Sequence, residues 1–217
     1  MKTILITGGS RGIGKATCLK FLENNWRVLT TSTSGKLDYK NQNLQNYQLD
    51  LSNSESIKAF VSQVHSMPLD VLVNNAGISG GFSEKLLDPK ILRKVLEVNL
   101  IGLADLTNRL IGNIKPEGRI INISSGMGAF SEDIMDGWMP SYRISKAALN
   151  MYSRTLAANL KSKDIEVCSY EPGWVKTDMG GKSAPREPSH PAEEIWNLVA
   201  HGFENGVFYG PTGKREW

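Results

Sequence analysis

Short apolar runs alternate with longer segments of helical pattern along almost the whole chain. In order, the runs are KTILIT, RVLTT, YQLDL, DVLVNN, RIINIS, IEVCSY and GVFYG. Runs that are continuously apolar are typical of strands buried on both faces, which occur in parallel sheets. The alternation therefore predicts an α/β fold, a doubly wound parallel sheet of about seven strands with helices on both faces.

Helical patterns fill the spaces between these runs. We predict helices ending at about Asn24 and Val64, one over about 89–114, one over about 141–160, and one in the segment EEIWNLVAHGF. Residues 34–46 have few apolar anchors, and residues 180–191 are rich in Gly and Pro, so both are predicted to be connections. With 217 residues, 40% of them hydrophobic, the chain is expected to form one domain over 1–217.

Charge and composition exclude several classes of function. The net charge of +3 comes from 25 basic and 22 acidic residues spread along the chain, so nucleic acid is not an expected partner, although small anions such as phosphates are. No apolar stretch approaches the roughly 20 residues that cross a bilayer, so no membrane partner is expected. His65, His190 and His201 are too scattered to predict a metal site. Cys18 and Cys168 lie far apart after a start without a signal-peptide pattern, so we expect free thiols and a cytoplasmic location.

A glycine-rich turn follows the first predicted strand. The segment TGGSRGIG, residues 7–14, leads directly into a helical pattern. Glycines let backbone amides approach a pyrophosphate, and a helix N-terminus adds N–H donors and partial positive charge. The alternative is a tight turn built only for packing. The spacing of Gly8, Gly12 and Gly14 differs from the common G-x-G-x-x-G fingerprint.

The segment SYRISKAALN places a tyrosine four residues before a lysine. Tyr142 and Lys146 would share one face of a helix, where the ammonium could stabilise an ionised phenol. The alternative is an ordinary amphipathic helix whose lysine extends to water.

These motifs together resemble those of the short-chain dehydrogenase/reductase family. Its pattern T-G-x-x-x-G-x-G is met by residues 7–14, and NNAG at 74–77, the Ser124–Ser125 pair, YRISK and PGWVKTDM follow in the family's order. The resemblance covers residues 2 to about 181 and is greatest to the compact carbonyl-reductase branch with the sniffer-like and C-factor-like proteins. It implies a single Rossmann domain that binds NAD(P) and contains the active site.

The resemblance also implies catalytic roles. Tyr142 would exchange a proton with the carbonyl oxygen, Lys146 would assist it, Ser125 would bind the same oxygen, and Asn99 would hold a water linked to the lysine. Seventeen positions separate Ser125 from Tyr142, a few more than is common in the family. Three other serines, Ser124, Ser131 and Ser141, therefore stay open as alternatives, and Asn99 could instead satisfy a bent helix backbone.

Cofactor choice follows from the end of the second predicted strand, TTSTSGK. No carboxylate stands there to repel a 2′-phosphate, while Arg11 and Lys36 offer positive charge, so NADP(H) is expected over NAD(H). The cofactor site implied by the resemblance comprises Gly8, Ser10, Arg11, Gly12, Ile13, Gly14, Ser32, Asp50, Leu51, Asn75, Ala76, Gly77, Tyr142, Lys146, Pro172, Gly173, Val175 and Thr177, and Asn74 is expected beside the ribose.

The substrate is expected to be a small, uncharged ketone or aldehyde. Apolar residues that could wall its pocket are Met127, Phe130, Trp138, Met139 and Trp174. Glu132, Asp133 and Asp136 put negative charge on the same segment with no base between Ser125 and Tyr142, which should disfavour anionic substrates. A reductase of ketoacyl groups on an acyl carrier and a non-catalytic NADP-binding regulator stay open as alternatives, as does assembly into a homodimer or homotetramer.

Overall fold

The computed structural model describes residues 1–134 and 137–217 and contains one eight-stranded sheet. The strands are β1 (Thr3–Ile6), β2 (Arg27–Ser32), β3 (Leu44–Gln48), β4 (Leu69–Asn74), β5 (Ile114–Ile123), β6 (Glu166–Tyr170), β7 (Phe208–Gly210) and β8 (Gly213–Arg215). Their order is β3-β2-β1-β4-β5-β6-β7-β8, and all neighbours are parallel except β7 and β8. This confirms the predicted doubly wound α/β fold and adds one short antiparallel strand.

Helices cover both faces of the sheet. They are α1 (Gly12–Glu23), α2 (Ser54–Val64), α3 (Pro89–Leu96), α4 (Leu103–Leu110), α5 (Pro140–Leu160) and α6 (Ser189–His201). The helix predicted over 89–114 is divided, since a π-helix at Glu97–Gly102 separates α3 from α4 and β5 begins at Ile114. β3 begins within the predicted connection 34–46 because an edge strand pairs on one side only and tolerates polar residues.

Alternate residues of the strands pack into two hydrophobic cores, one on each face of the sheet. On one face of β1, Leu5 packs in a cluster with residues of α2, α4 and α5, including Phe60 and Leu106. On the other face, Ile4 packs with α1 and α6 around Phe21. Because successive side chains of a strand point to opposite faces, continuously apolar strands are what a sheet covered on both sides requires.

The change of winding direction fixes where a ligand can enter. The chain winds from β1 outward to β3, then crosses to β4 and winds the other way to β7. In such sheets a crevice forms beyond the carboxyl ends of the strands at this switch.

Among the described residues, no helix is long and apolar enough to cross a bilayer and no group of three His, Cys, Asp or Glu is placed to hold a metal ion.

Candidate active site

A cavity of about 1210 Å³ lies at the carboxyl ends of the central strands. It brings together the predicted cofactor residues and three of the four predicted catalytic residues. Its lining includes Gly8, Ser10, Arg11, Gly12, Ile13, Gly14, Ser32, Asp50, Leu51, Asn75, Ala76, Gly77, Ser125, Tyr142, Lys146, Pro172, Gly173, Val175 and Thr177. Positions spread over 170 residues of sequence thus converge on one site, and its size suits a dinucleotide together with a small substrate.

The glycine turn connects β1 to α1 in a conformation that few other residues could adopt. Gly8 and Gly12 have φ angles of 74° and 54°. A Cβ on Gly14 would lie 2.2 Å from the Gly8 carbonyl oxygen. The N-cap residue of α1, Arg11, makes no side-chain cap bond, and the first turn holds no acidic residue. The helix N-terminus therefore faces the cavity with donors and partial positive charge, an arrangement that fits a pyrophosphate.

The loop after β4 is fastened to this turn by Thr7. The Thr7 hydroxyl oxygen accepts the backbone N–H groups of Asn75 and Ala76, both at 3.0 Å, and the Asn75 side chain donates to the Thr7 carbonyl at 2.8 Å. Asn74 does not line the cavity as expected. It is the last residue of β4 and is buried beneath the cavity floor, where its amide donates to Asn122 at 2.8 Å.

Polar side chains line the end of the cavity beside β2 and the loop after β3. The Ser32 hydroxyl donates to the Lys36 carbonyl at 3.2 Å, so Lys36 contributes its backbone to the turn. The Asp50 carboxylate accepts bonds from the backbone and hydroxyl of Ser52. Arg11, expected to be available for a phosphate, forms an exposed ion pair with Asp178 at 2.7 Å. Exposed pairs are weak, about 0–1 kcal/mol, so a phosphate could displace Asp178.

The tyrosine and lysine of α5 are both buried. Burial raises the pKa of Tyr142 to about 12, while a hydrogen bond with the Ser125 hydroxyl acts to lower that pKa and the nearby Glu171 charge to raise it. Burial lowers the pKa of Lys146 to about 8. The lysine ammonium donates to the Ile123 carbonyl at 2.7 Å and lies 5.6 Å from the centre of the tyrosine ring.

One alternative about this pair is corrected, and the protonation state of the phenol is set by burial. Lys146 is only 5% exposed, so the alternative of a lysine that extends to water is wrong. In this structure the environment keeps the Tyr142 phenol protonated at neutral pH, since desolvation outweighs the effect of its neighbours on its pKa.

Among the candidate serines, Ser125 is the one whose hydroxyl acts on the pKa of the Tyr142 phenol, and both side chains line the cavity. Ser124 points the other way along the strand end and donates to an asparagine of α5 at 2.6 Å. Ser131 donates to a backbone carbonyl at 3.2 Å, and Ser141 donates to a buried carboxylate at 2.6 Å. The longer segment between Ser125 and Tyr142 therefore does not separate the two hydroxyls.

Asn99 lies in the π-helix, behind the cavity wall. Its side chain accepts the N–H of Ile78 and donates to the carbonyl of the same residue, both at 2.8 Å, and also donates to Ser145 at 3.0 Å. It thus joins the loop after β4 to α5. A Cβ on Gly77 would lie 3.1 Å from its oxygen and 3.8 Å from the Lys146 nitrogen. The water-holding role stays a prediction.

The apolar part of the cavity lies beside Tyr142. Four of the five residues predicted for this wall line it, namely Met127, Trp138, Met139 and Trp174. The fifth, Phe130, is 89% exposed and points away. A residue not predicted, Phe82, completes the wall by stacking on the Trp138 ring at 5.8 Å and accepting the indole N–H at 2.6 Å.

Comparison with known proteins decides the family. The family model described as short chain dehydrogenase matches residues 2–188. The chain belongs to the short-chain dehydrogenase family. It is 31% identical to the NADPH carbonyl reductase 1 of Rattus norvegicus over 250 aligned positions, covering 87% of each chain. It is 30% identical to the 3-oxoacyl-[acyl-carrier-protein] reductase of Vibrio cholerae over 187 positions, covering 82% of this chain and 75% of the relative.

Solved structures of other short-chain dehydrogenases have the same fold. One from Burkholderia multivorans, determined with bound NADP, superposes with a TM-score of 0.89 and 25% identity, covering 100% of this chain and 99% of that one. The carbonyl reductase Sniffer of D. melanogaster gives 0.85 and 27%, covering 100% of both. The resemblance inferred from the motifs is confirmed, and the predicted NADP(H) cofactor agrees with the first of these structures.

Charged residues around the short-chain dehydrogenase site were the largest omission of the sequence reasoning. No base was expected to offset Glu132 from within its own segment, but Arg215 of β8, outside that segment, forms an ion pair with it. Glu171 lines the cavity and is paired with the same guanidinium. Asp133 is exposed, and Asp136 lies outside the described residues. Glu171 could have been identified from its position in the sequence. It is a carboxylate that follows the last residue of a predicted strand, Tyr170, and precedes a proline.

Proposed function

We propose that this chain is an NADPH-dependent reductase of small, uncharged ketones or aldehydes, acting as one domain over 1–217. The observation that carries the proposal is that Tyr142, Ser125 and Lys146 line one cavity together with the glycine turn. This arrangement combines a proton donor, an oxygen-binding hydroxyl and a phosphate-binding helix N-terminus.

Three residues of the chain would have separate roles in the reduction. A reduced nicotinamide, when bound, supplies the hydride. Tyr142 holds the proton that the carbonyl oxygen takes up, and a pKa of about 12 keeps this phenol protonated at neutral pH. Ser125 binds the same oxygen as charge develops on it. The Lys146 ammonium, 5.6 Å from the ring centre, stabilises the phenolate left after transfer.

The preference for NADPH is supported by the end of the cavity beside β2. Ser32 and Thr33 line the cavity where an NAD-preferring protein would place a carboxylate, and Arg11 stands at the mouth. Asn99 completes the proposed catalytic set by holding the loop after β4 against α5. The buried free thiols of Cys18 and Cys168 support the proposed cytoplasmic location.

The apolar wall supports an uncharged substrate. Phe82, Met127 and Trp138 face the region beside Tyr142, where a hydrophobic group of a substrate would be desolvated. Pairing of Glu132 with Arg215 offsets part of the negative charge first expected from this segment. Electrostatic rejection of anions is therefore a smaller part of the proposal than the sequence indicated.

A reductase of ketoacyl groups on an acyl carrier is the second candidate, favoured by the 30% identity to the Vibrio cholerae reductase. Free ketones, aldehydes and diketones should be compared with a ketoacyl carrier substrate, following NADPH consumption. Preference for the carrier substrate would place the second candidate first.

Tyr142→Phe tests the mechanism within the same assay. It should lose at least about a hundredfold in kcat, in the range typical of a lost general acid, while NADPH binding stays near that of the parent. Tyr152→Phe is the matched control, because Tyr152 is on the same helix and packs against the core rather than the cavity. Activity of Tyr142→Phe within about tenfold of the parent would contradict the role of this phenol as the acid.

A further inference from the structure

An ionic cluster of Arg215, Glu171 and Glu132 borders the candidate active site, and its arginine lies beyond residues 2–188, the part of the chain that the family model matches. Arg215 of β8 makes ion pairs with both Glu171 and Glu132 through its two terminal nitrogens. The arginine side chain is 20% exposed and that of Glu171 is 14% exposed. A charged pair this far removed from water is costly to break, because one partner would be left buried without compensation.

The second oxygen of Glu171 reaches the catalytic turn. It accepts the backbone N–H of Gly126 at 3.1 Å. Gly126 follows Ser125, whose own side chain accepts the N–H of Met127 at 3.2 Å within a short 3₁₀ turn. The carboxylate thus connects the arginine to the turn that carries the Ser125 hydroxyl.

Space around this turn is filled by the same three charged groups. A Cβ on Gly126 would lie 3.1 Å from an Arg215 nitrogen, 3.2 Å from a Glu171 oxygen and 3.3 Å from a Glu132 oxygen. The turn cannot move toward the cluster without displacing one of them. Arg215 itself does not line the cavity, so it acts through the carboxylates that it pairs with, and of these Glu171 is the one bonded to the turn.

The segment after Arg215 reinforces the contact. The Ser131 N–H donates to the Trp217 carbonyl at 3.0 Å, and the Trp217 ring stacks on Phe208 of β7 at 5.3 Å. Arg154 of α5 lies over the other side of that ring at 5.4 Å. β8 and the residues beyond it therefore connect the catalytic loop, the sheet edge and the catalytic helix.

We propose that Arg215 is a positioning residue of the active site: it holds Glu171 against the Gly126 amide and so fixes the turn from which Ser125 reaches Tyr142. The expected change in kcat rests on the proposed reductase function, whereas the expected change in the turn does not. The position of the turn can be measured without any substrate.

The test combines kinetics with backbone hydrogen exchange. Arg215→Met keeps an unbranched stem about as long as the methylene part of arginine and removes the charge, leaving Glu171 without its cation. We expect faster exchange at the amides of residues 126–129 and a fall in kcat of about tenfold or more, with NADPH dissociation within about twofold of the parent. Lys214→Met is the matched control, since Lys214 lies on the same strand and pairs with the exposed Glu204.

The double variant Glu171→Gln/Arg215→Met separates positioning from support of the sheet edge. Glutamine can still accept the Gly126 N–H and needs no cation. Amide exchange at 126–129 should therefore be slow again, and most of the lost kcat should be recovered. Such recovery would show that the effects of the two substitutions are coupled. If Arg215→Met fails to fold, Arg215→Lys is expected to give a smaller change in the same direction, since an ammonium keeps one ion pair.

Three results would overturn the proposal. The first is an Arg215→Met variant in which neither amide exchange at 126–129 nor kcat changes. The second is a loss of kcat in Arg215→Met no larger than that in Lys214→Met. The third is a double variant whose loss of kcat equals the sum of the losses of the two single variants. A parent protein that reduces no carbonyl compound would refute the proposed function instead. The exchange measurements would still decide the role of Arg215 in that case.

Discussion

Replacing Glu84 should destabilise the start of α5. This residue lies in the loop after β4 and is 5% exposed. Its carboxylate accepts the Ser141 hydroxyl at 2.6 Å, the Ser141 N–H at 3.1 Å and the Asp88 N–H at 3.1 Å. Met139, the N-cap residue of α5, makes no side-chain cap bond. Glu84 therefore supplies from a distant loop the acceptor that a local cap would provide.

The magnitude follows from the donors left behind. Ser141 is fully buried, so Glu84→Ala would leave its N–H and O–H groups without acceptors. Each buried unsatisfied group costs about 1–3 kcal/mol, so we expect a loss of about 2–5 kcal/mol in the free energy of unfolding. Glu84→Gln keeps an oxygen acceptor but loses the charge near the helix N-terminus, and should cost about 1–2 kcal/mol.

Denaturant unfolding followed by circular dichroism measures both losses. Glu55→Ala is the control, because Glu55 is in the first turn of α2 and its side chain is 76% exposed, with an expected effect below about 1 kcal/mol. A Glu84→Ala loss as small as that of the control would refute the capping argument. So would equal losses in Glu84→Ala and Glu84→Gln.

The pH dependence of stability gives an independent check. Burial acts to raise the pKa of Glu84, but the bonds from the Ser141 hydroxyl and from the Asp88 and Ser141 amides lower it below its ordinary 4.5. A carboxyl whose pKa is lower in the folded state stabilises the protein above its unfolded pKa and loses that contribution as the pH falls through the folded value. The stability difference between parent and Glu84→Gln should therefore shrink below about pH 4.5.

Two further predictions concern the cofactor and the lysine. Ser32→Asp should reduce the ratio of kcat/KM for NADPH to that for NADH by about tenfold or more, since a carboxylate there would repel a 2′-phosphate; an unchanged ratio would show that this strand end does not contact the phosphate. Lys146→Met should lose most activity yet be no less stable than the parent at neutral pH, because it removes a buried cation. The pKa of Lys146 falls from 10.5 to about 8 on folding, so the unfolded chain binds more protons between these values and the parent should gain stability as pH rises from about 8 to 10.5. Denaturant midpoints of parent and variant across this range measure that gain, which should be absent in Lys146→Met.

The parts predicted from sequence were those determined locally. Apolar runs and the spacing of the glycine turn depend on neighbouring residues, so β1, the turn and α1 could be placed before the structure was known. The acceptor at the start of α5 could not, because Glu84 and Ser141 are 57 positions apart. The pairing of Arg215 with Glu171 depends on how three strands are aligned at the sheet edge. Asn74 and Asn75 were hard to separate because a shift of one residue at a strand end changes which side a residue faces.

The π-helix at Glu97–Gly102 contacts two separate loops that line the cavity. At one end, Asn99 is bonded to the loop beside Lys146. At the other, a Cβ on Gly102 would lie 1.9 Å from the Leu51 carbonyl, so the helix backbone rests directly on the loop after β3 that lines the cavity. These six residues therefore connect the two loops. Substitutions that enlarge the loop at Leu51 should therefore also displace the π-helix and the loop beside Lys146, so cofactor preference and turnover should prove difficult to change separately.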